Sequence, residues 1–259
     1  MKNKTGNALP PHPRCAISND MLSHRAYVIL TFTAAVAFAA GPFVVSFDGF
    51  DPNAYPIPQD DPPAQPAGYA FSIWGVIYLW LLASTGFGLF VRPDDPEWIP
   101  TRPPLFVSLT IGAIWLPVAE LSPIWATILI WAMLISALVA LLRTPAKDRW
   151  LLRAPIGLYA GWLTAASSVS VALLGAGYGI LFGQTVWAII AIALAFTIAM
   201  NIITTRKSPG IFTFAVAWAL VAVIVQNAST APLIAGLAAL GAAVLAGLFI
   251  YVNRTPLAQ

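Results

Sequence analysis

The sequence predicts an all-α fold: a polytopic transmembrane helical bundle with eight spans. Three observations predict it. The chain is 59% hydrophobic and only 9% charged, against about 25% charged residues in soluble domains, and its mean hydropathy is +0.80. Its apolar runs last about twenty residues, enough at ~1.5 Å rise per residue to cross roughly 30 Å of hydrocarbon. All thirteen Lys and Arg residues fall on one side if the chain crosses eight times. The positive-inside bias then puts both termini in the cytoplasm. Barrel strands would alternate over about ten residues instead.

The elements follow in order. Residues 1–26 hold Lys2, Lys4, Arg14 and Arg25 with Pro10, Pro11 and Pro13, and read as a cytoplasmic N-terminal tail with no cleaved signal peptide. Span one covers about Tyr27 to Phe47. A proline-rich segment with Asp48, Asp51, Asp60 and Asp61 follows. Span two covers Gly68 to Val91, and its exit loop carries Arg92, Asp94, Asp95, Glu97 and Arg102. Spans three (Pro104 to Ala119) and four (Pro123 to Leu142) are joined by a tight turn at Glu120, Ser122 and Pro123. Arg143, Lys147, Arg149 and Arg153 form a basic loop. Span five covers Ala154 to Leu174, and a turn with Gly175, Gly177 and Gly179 leads to span six, Gln184 to Ile203. After Arg206 and Lys207, span seven covers Gly210 to Val225 and span eight Pro232 to Val252. Continuous apolar spans favour an inner or plasma membrane over an outer-membrane barrel.

Composition also excludes functions. A net charge of +3 and a pI near 9.2 do not imply nucleic acid, because the basic residues flank spans, where a lipid surface accounts for them. Cys15 is the single cysteine, which rules out an intrachain disulfide and a four-cysteine metal site. His12 and His24 lie in the tail without metal-binding neighbours. Asp60 and Asp61 beside prolines read as a solvated turn. No phosphate-binding glycine loop and no nucleophile beside a histidine base is present. No catalytic residue and no metal ligand is predicted, and the reading leans away from an enzyme. The middle of every span lacks Lys, Arg, Asp, Glu and His, which argues against a proton-coupled pump of ordinary design.

Small residues recur at four-residue intervals in span five (Gly157, Gly161, Ala165) and span eight (Ala235, Ala239, Ala243, Gly247). Such stripes suit close helix contacts. Whether the second faces another span or another subunit is open at this level. Ser167, Ser168, Ser170 and Asn201 read as groups for helix-helix or local backbone hydrogen bonds.

The aromatic residues carry the functional signal. Helical spacing puts Phe71, Trp74 and Tyr78 on one face of span two, and Tyr159 and Trp162 one turn apart on span five. Trp115, Trp125 and Trp131 lie in spans three and four. Such faces suit a large planar apolar ligand. The competing reading is interface anchors and bundle filler, which fits Trp98, Trp150 and Trp187 best.

The segment Pro66, Gly68, Tyr69, Phe71, Trp74, Tyr78 resembles the signature of the TspO/MBR family, the tryptophan-rich sensory proteins. Pro62 and Pro63 match its proline-rich approach, Tyr159 and Trp162 its fifth-helix pair, and Trp115 a third-helix tryptophan. The chain departs from the family pattern at several places. No tryptophan lies between Asp48 and Tyr69. Gly112 and Ala113 stand near an expected asparagine, Leu158 replaces a proline, and Val169 replaces an asparagine. The resemblance covers a TspO-like five-helix portion, 27–174, and implies an extended branch with three additional helices in 175–259.

The resemblance implies a porphyrin or haem ligand, or another apolar molecule, held by Phe71, Trp74, Tyr78, Trp115, Tyr159 and Trp162, with the loop from Asp48 to Ala67 over one mouth. It implies no obligatory cofactor. The leading expectation is a binding protein, sensor or regulator for tetrapyrroles. The alternatives are a small-molecule transporter or facilitator, and an assembly partner of a membrane complex or of a second copy through the span-eight stripe. Membrane lipid is an expected partner in each case.

Overall fold

The computed structural model describes residues 13–45, 50–206 and 210–254. Lys2, Lys4, Pro10, Pro11, His12, Asp48 and Lys207 lie outside them. The described chain is helical throughout its spans: α1 Pro13–Val44, α2 Ile73–Phe90, α3 Arg102–Leu121, α4 Pro123–Leu142, α5 Arg153–Gly177, α6 Gln184–Arg206, α7 Gly210–Asn227 and α8 Pro232–Arg254. Eight of these segments are long and apolar enough to cross a membrane. The chain is a multi-pass membrane protein, and hydrocarbon leaves helices as its natural spanning form because every backbone polar group must be satisfied internally.

Most boundaries agree with the sequence within a few residues, and local chemistry sets them. Ser122 caps α4, its hydroxyl accepting from the Trp125 N–H, and Pro123 occupies the first turn. Pro103 and Pro104 open α3 in the same way. Span three is longer than expected, because a short 3-10 turn at Ile99–Thr101 runs directly into α3. At the other end of the chain, α1 already begins at Pro13, inside the expected tail.

Helix α5 is the central pillar. Of its membrane-spanning window, 83% is buried, against 22% for α8. It packs on α4, α6, α7 and, more loosely, α2, while α3 packs on both α1 and α4, α2 on α1, and α8 on α7. The glycine stripe explains the close approach of α7: a Cβ on Gly161 would lie 2.5 Å from the Phe212 carbonyl oxygen and 2.8 Å from the Ala215 Cβ. The stripe of α8 points the other way. Ala239, Ala243 and Gly247 are exposed, and the buried face is Ile234, Ala238, Gly241 and Leu245.

Of the four polar residues singled out within spans, three bond locally and one bonds between helices, both of which were expected. Ser168 and Asn201 return their side chains to the carbonyls of Thr164 and Thr197, and Ser170 to that of Ser167. Ser167 instead reaches across to the Ile130 carbonyl at 3.3 Å.

At the basic end, ion pairs tie the loops together. Arg92 meets Asp148 at 2.9 Å and Lys147 meets Asp95 at 2.7 Å. The hydrogen bond from Arg92 holds the Asp148 carboxyl below the usual carboxylate range, and Lys147 does the same for Asp95. Of the rings expected to be anchors or bundle filler, Trp98 is filler. It is not a lipid-interface anchor: it is 3% exposed, donates its indole N–H to Asp148, and packs where a Gly88 Cβ would be. Trp150 does fit the anchor role, being exposed and stacked on Trp80.

Candidate functional site: an aromatic cavity

A cavity of about 700 Å³ lies among α1 to α5, toward the end opposite the basic loops. Its volume falls within the roughly 300–1,000 Å³ of ordinary ligand sites. Five of the six residues singled out by sequence line it: Phe71, Trp74, Tyr78, Trp115 and Trp162. Tyr159 is not on that wall. It is completely buried behind it, with its hydroxyl 2.9 Å from the Ser108 Oγ and its ring against Phe38. Trp125 is largely exposed on the outside of the bundle.

The rings hold one another. Trp74 and Tyr78, one turn apart on α2, stack with centroids 5.4 Å apart and planes 17° apart. Trp162 meets Trp74 edge to face at 6.2 Å and Phe71 at 5.8 Å. Phe38, on α1, stands edge-on to both Trp74 and Tyr78. Trp115 is fixed by its indole N–H, which donates to the Ala126 carbonyl at 2.9 Å. Offset and edge-to-face contacts of this kind are worth ~0.5–1.5 kcal/mol each beyond burial.

The polar inventory is small. Among the described residues, no charged side chain lines the cavity. The Trp162 indole N–H is buried and has no hydrogen-bond partner. Such an orphan costs about 1–3 kcal/mol and stands ready to donate to an acceptor. Trp162 also lines a second, narrower cavity of about 110 Å³ among α5, α6 and α7. The two cavities share Gln65, Phe71, Trp115, Ile130, Trp162 and Ala166.

The loop that closes this end is anchored on the far half of the bundle. The Tyr55 ring fills the space beside Gly177, Ile57 N–H donates to the Gly177 carbonyl, and Ala67 N–H to the Ala222 carbonyl. Asn227 donates to the Pro63 carbonyl and Trp218 to that of Ala70. Phe50 and Gln65 bring the loop to the cavity walls. Its acidic residues Asp51, Asp60 and Asp61 are exposed and line neither cavity. No group of three or more His, Cys, Asp or Glu residues forms a metal site among the described residues.

Sequence reasoning missed Phe38, Gly112 and Met133. Phe38 sits in a wholly apolar stretch, from Ala34 to Ala40, where periodicity ranks no face. Gly112 is legible in hindsight: a Cβ there would lie 2.7 Å from the Phe38 ring. This glycine, near the expected asparagine, makes room for that ring. Val169, at the second expected asparagine, lines the narrow cavity.

No curated protein and no solved structure matches the chain. A family model described as TSPO-like protein matches residues 26–251. The match begins with α1 and continues through α6, α7 and α8, beyond the portion that carries the motif. The chain belongs to the TSPO-like protein family.

Proposed function

We propose that this membrane protein binds a large planar apolar molecule, a tetrapyrrole foremost, in the aromatic cavity and acts as a sensor or regulator of it. The observation that carries this reading is a roughly 700 Å³ cavity in which Phe38, Phe71, Trp74, Tyr78 and Trp115 stand among aliphatic residues beside Trp162, whose buried N–H has no partner. A flat ring bearing an acceptor would satisfy both. Among the described residues no His or Cys lines the cavity, so the lining favours recognition of the ring plane rather than ligation of an iron. Protoporphyrin and haem are therefore expected to bind within about tenfold of each other. With no cation on the walls, the acid groups of a porphyrin are expected to stay at the mouth. The positive-inside bias supports an orientation with the basic end and both termini in the cytoplasm.

The test is a titration of the detergent-solubilised protein with protoporphyrin IX and with haem, following tryptophan quenching. Saturable quenching, weakened about tenfold or more (~1.4 kcal/mol) in Trp74→Ala and Trp162→Ala, supports the reading. Quenching that never saturates, or that ignores both substitutions in folded protein, rejects it.

A further inference from the structure

A second large cavity, of about 440 Å³, lies at the opposite, basic end. It is built by the N-terminal turns of α5 and α7 and the C-terminal turns of α4, α6 and α8. Its walls divide by chemistry. Arg149 and Arg153 stand on one side, with Trp150 between them in sequence. Ile202, Phe212, Phe214 and Phe249 make most of the apolar remainder, and among the described residues no acidic side chain lines it. Phe214 and Phe249 are also exposed on the outer surface of the bundle, so the cavity borders the hydrocarbon phase.

We propose that this cavity is a binding site for a phospholipid with an anionic headgroup, drawn from the leaflet at the basic end. Arg149 is exposed, with its guanidinium 5.2 Å from the Trp150 ring centre. A charge held on an aromatic face at the membrane surface is well placed for a phosphate. Arg153 donates to the Thr144 and Pro145 carbonyls and to the Thr144 hydroxyl, which fixes its side chain beside the cavity.

A second observation points to a ligand independently. Thr213 lines the same cavity, is 3% exposed, and its hydroxyl has no hydrogen-bond partner. A phosphate or ester oxygen is the acceptor that such a donor lacks. The combination of cations, one neutral donor and an apolar wall facing the bilayer matches an anionic amphiphile. It does not match a neutral lipid, which has no use for the arginines, and the bilayer-facing side of the apolar wall favours acyl chains.

The experiment is native mass spectrometry of the full chain released from detergent micelles, titrated with phosphatidylglycerol and with phosphatidylcholine of identical acyl chains. Phosphatidylglycerol is expected to be retained preferentially. Arg149→Gln should weaken it about fivefold, the effect of one basic residue near an anionic surface, and leave phosphatidylcholine unchanged. Thr213→Val should weaken it as well. Arg143→Gln, at an exposed position outside the cavity, should not. Thermal unfolding of each variant establishes that it is folded. Equal retention of the two lipids overturns the proposal. So does an equal loss in Arg143→Gln, which would mean diffuse surface charge. Glycerol phosphate competing as well as the lipid would also overturn it, because the site would then be one for a soluble anion.

Discussion

Helices α5 and α8 carry small residues at the same four-residue spacing and use them in opposite ways. In α5, Gly157 and Gly161 meet Phe212 and Ala215 of α7 so closely that an added Cβ at Gly161 has nowhere to go. In α8, no atom lies within 4 Å of the place where a Gly247 Cβ would stand, and the stripe faces out of the bundle. The spacing specifies a smooth face. It does not specify what covers that face. In lipid the hydrophobic effect does not sort inside from outside, so packing complementarity decides. The complement of α5 is α7, about fifty residues further along the chain.

The largest expected effect is at Gly161. Gly161→Leu forces apart two backbones and should cost ~3 kcal/mol or more, seen as a lower thermal midpoint or as failure to purify as a folded protein. Native stability in this variant would break the comparison at its root. Gly177→Leu comes next, at about 1–3 kcal/mol, because it meets the Tyr55 ring, which a loop can partly withdraw. Its signature should be faster hydrogen exchange in the loop around Tyr55 and Ile57, with α1 to α4 unaffected. Gly247→Leu should change stability by no more than about 0.5 kcal/mol. If that stripe meets a second copy, the same variant alters oligomeric mass while the thermal midpoint stays put, which would sharpen the contrast between the two stripes.

The smallest effect is electrostatic and belongs to the loops at the N-terminal end of α5. Asp95 and Asp148 are held below their ordinary range in the folded protein by Lys147 and Arg92. A depressed carboxylate contributes stability that is present above the unfolded value, about 3.9, and is lost as pH falls through the lower folded value. The thermal midpoint should therefore be insensitive to these pairs between pH 5 and 7 and fall only below about pH 4. A midpoint that drops between pH 7 and 5 would mean that other groups govern this end.

How much the sequence made legible follows from the same contrast. The span positions were readable because long apolar runs, proline starts and basic loops are local signals. Phe71, Trp74 and Tyr78 were readable because one helical face carries all three. Tyr159 was misplaced, since a three-residue spacing puts it near Trp162 but does not reveal that Ser108 of α3 draws its hydroxyl behind the cavity wall. Phe38 was invisible for the complementary reason: the stretch around it, from Ala34 to Ala40, is wholly apolar and offers no contrast from which to choose a face. The sequence left Trp98 as anchor or filler, and what decides for filler is distant: the Asp148 carboxylate that accepts its indole N–H is fifty residues away.

Gly75 offers the most direct test of the central claim, that the aromatic cavity is a ligand site. It lines the cavity and nothing lies within 4 Å of a Cβ built there, so Gly75→Leu occupies ligand space without displacing protein. The measurement is protoporphyrin IX binding to this variant beside the unsubstituted chain, with thermal unfolding recorded for both. Affinity lowered at least about tenfold at an unchanged or higher midpoint is the predicted result. Unchanged affinity in a folded Gly75→Leu protein would contradict the account, and would put any porphyrin somewhere other than among Trp74, Tyr78 and Trp162.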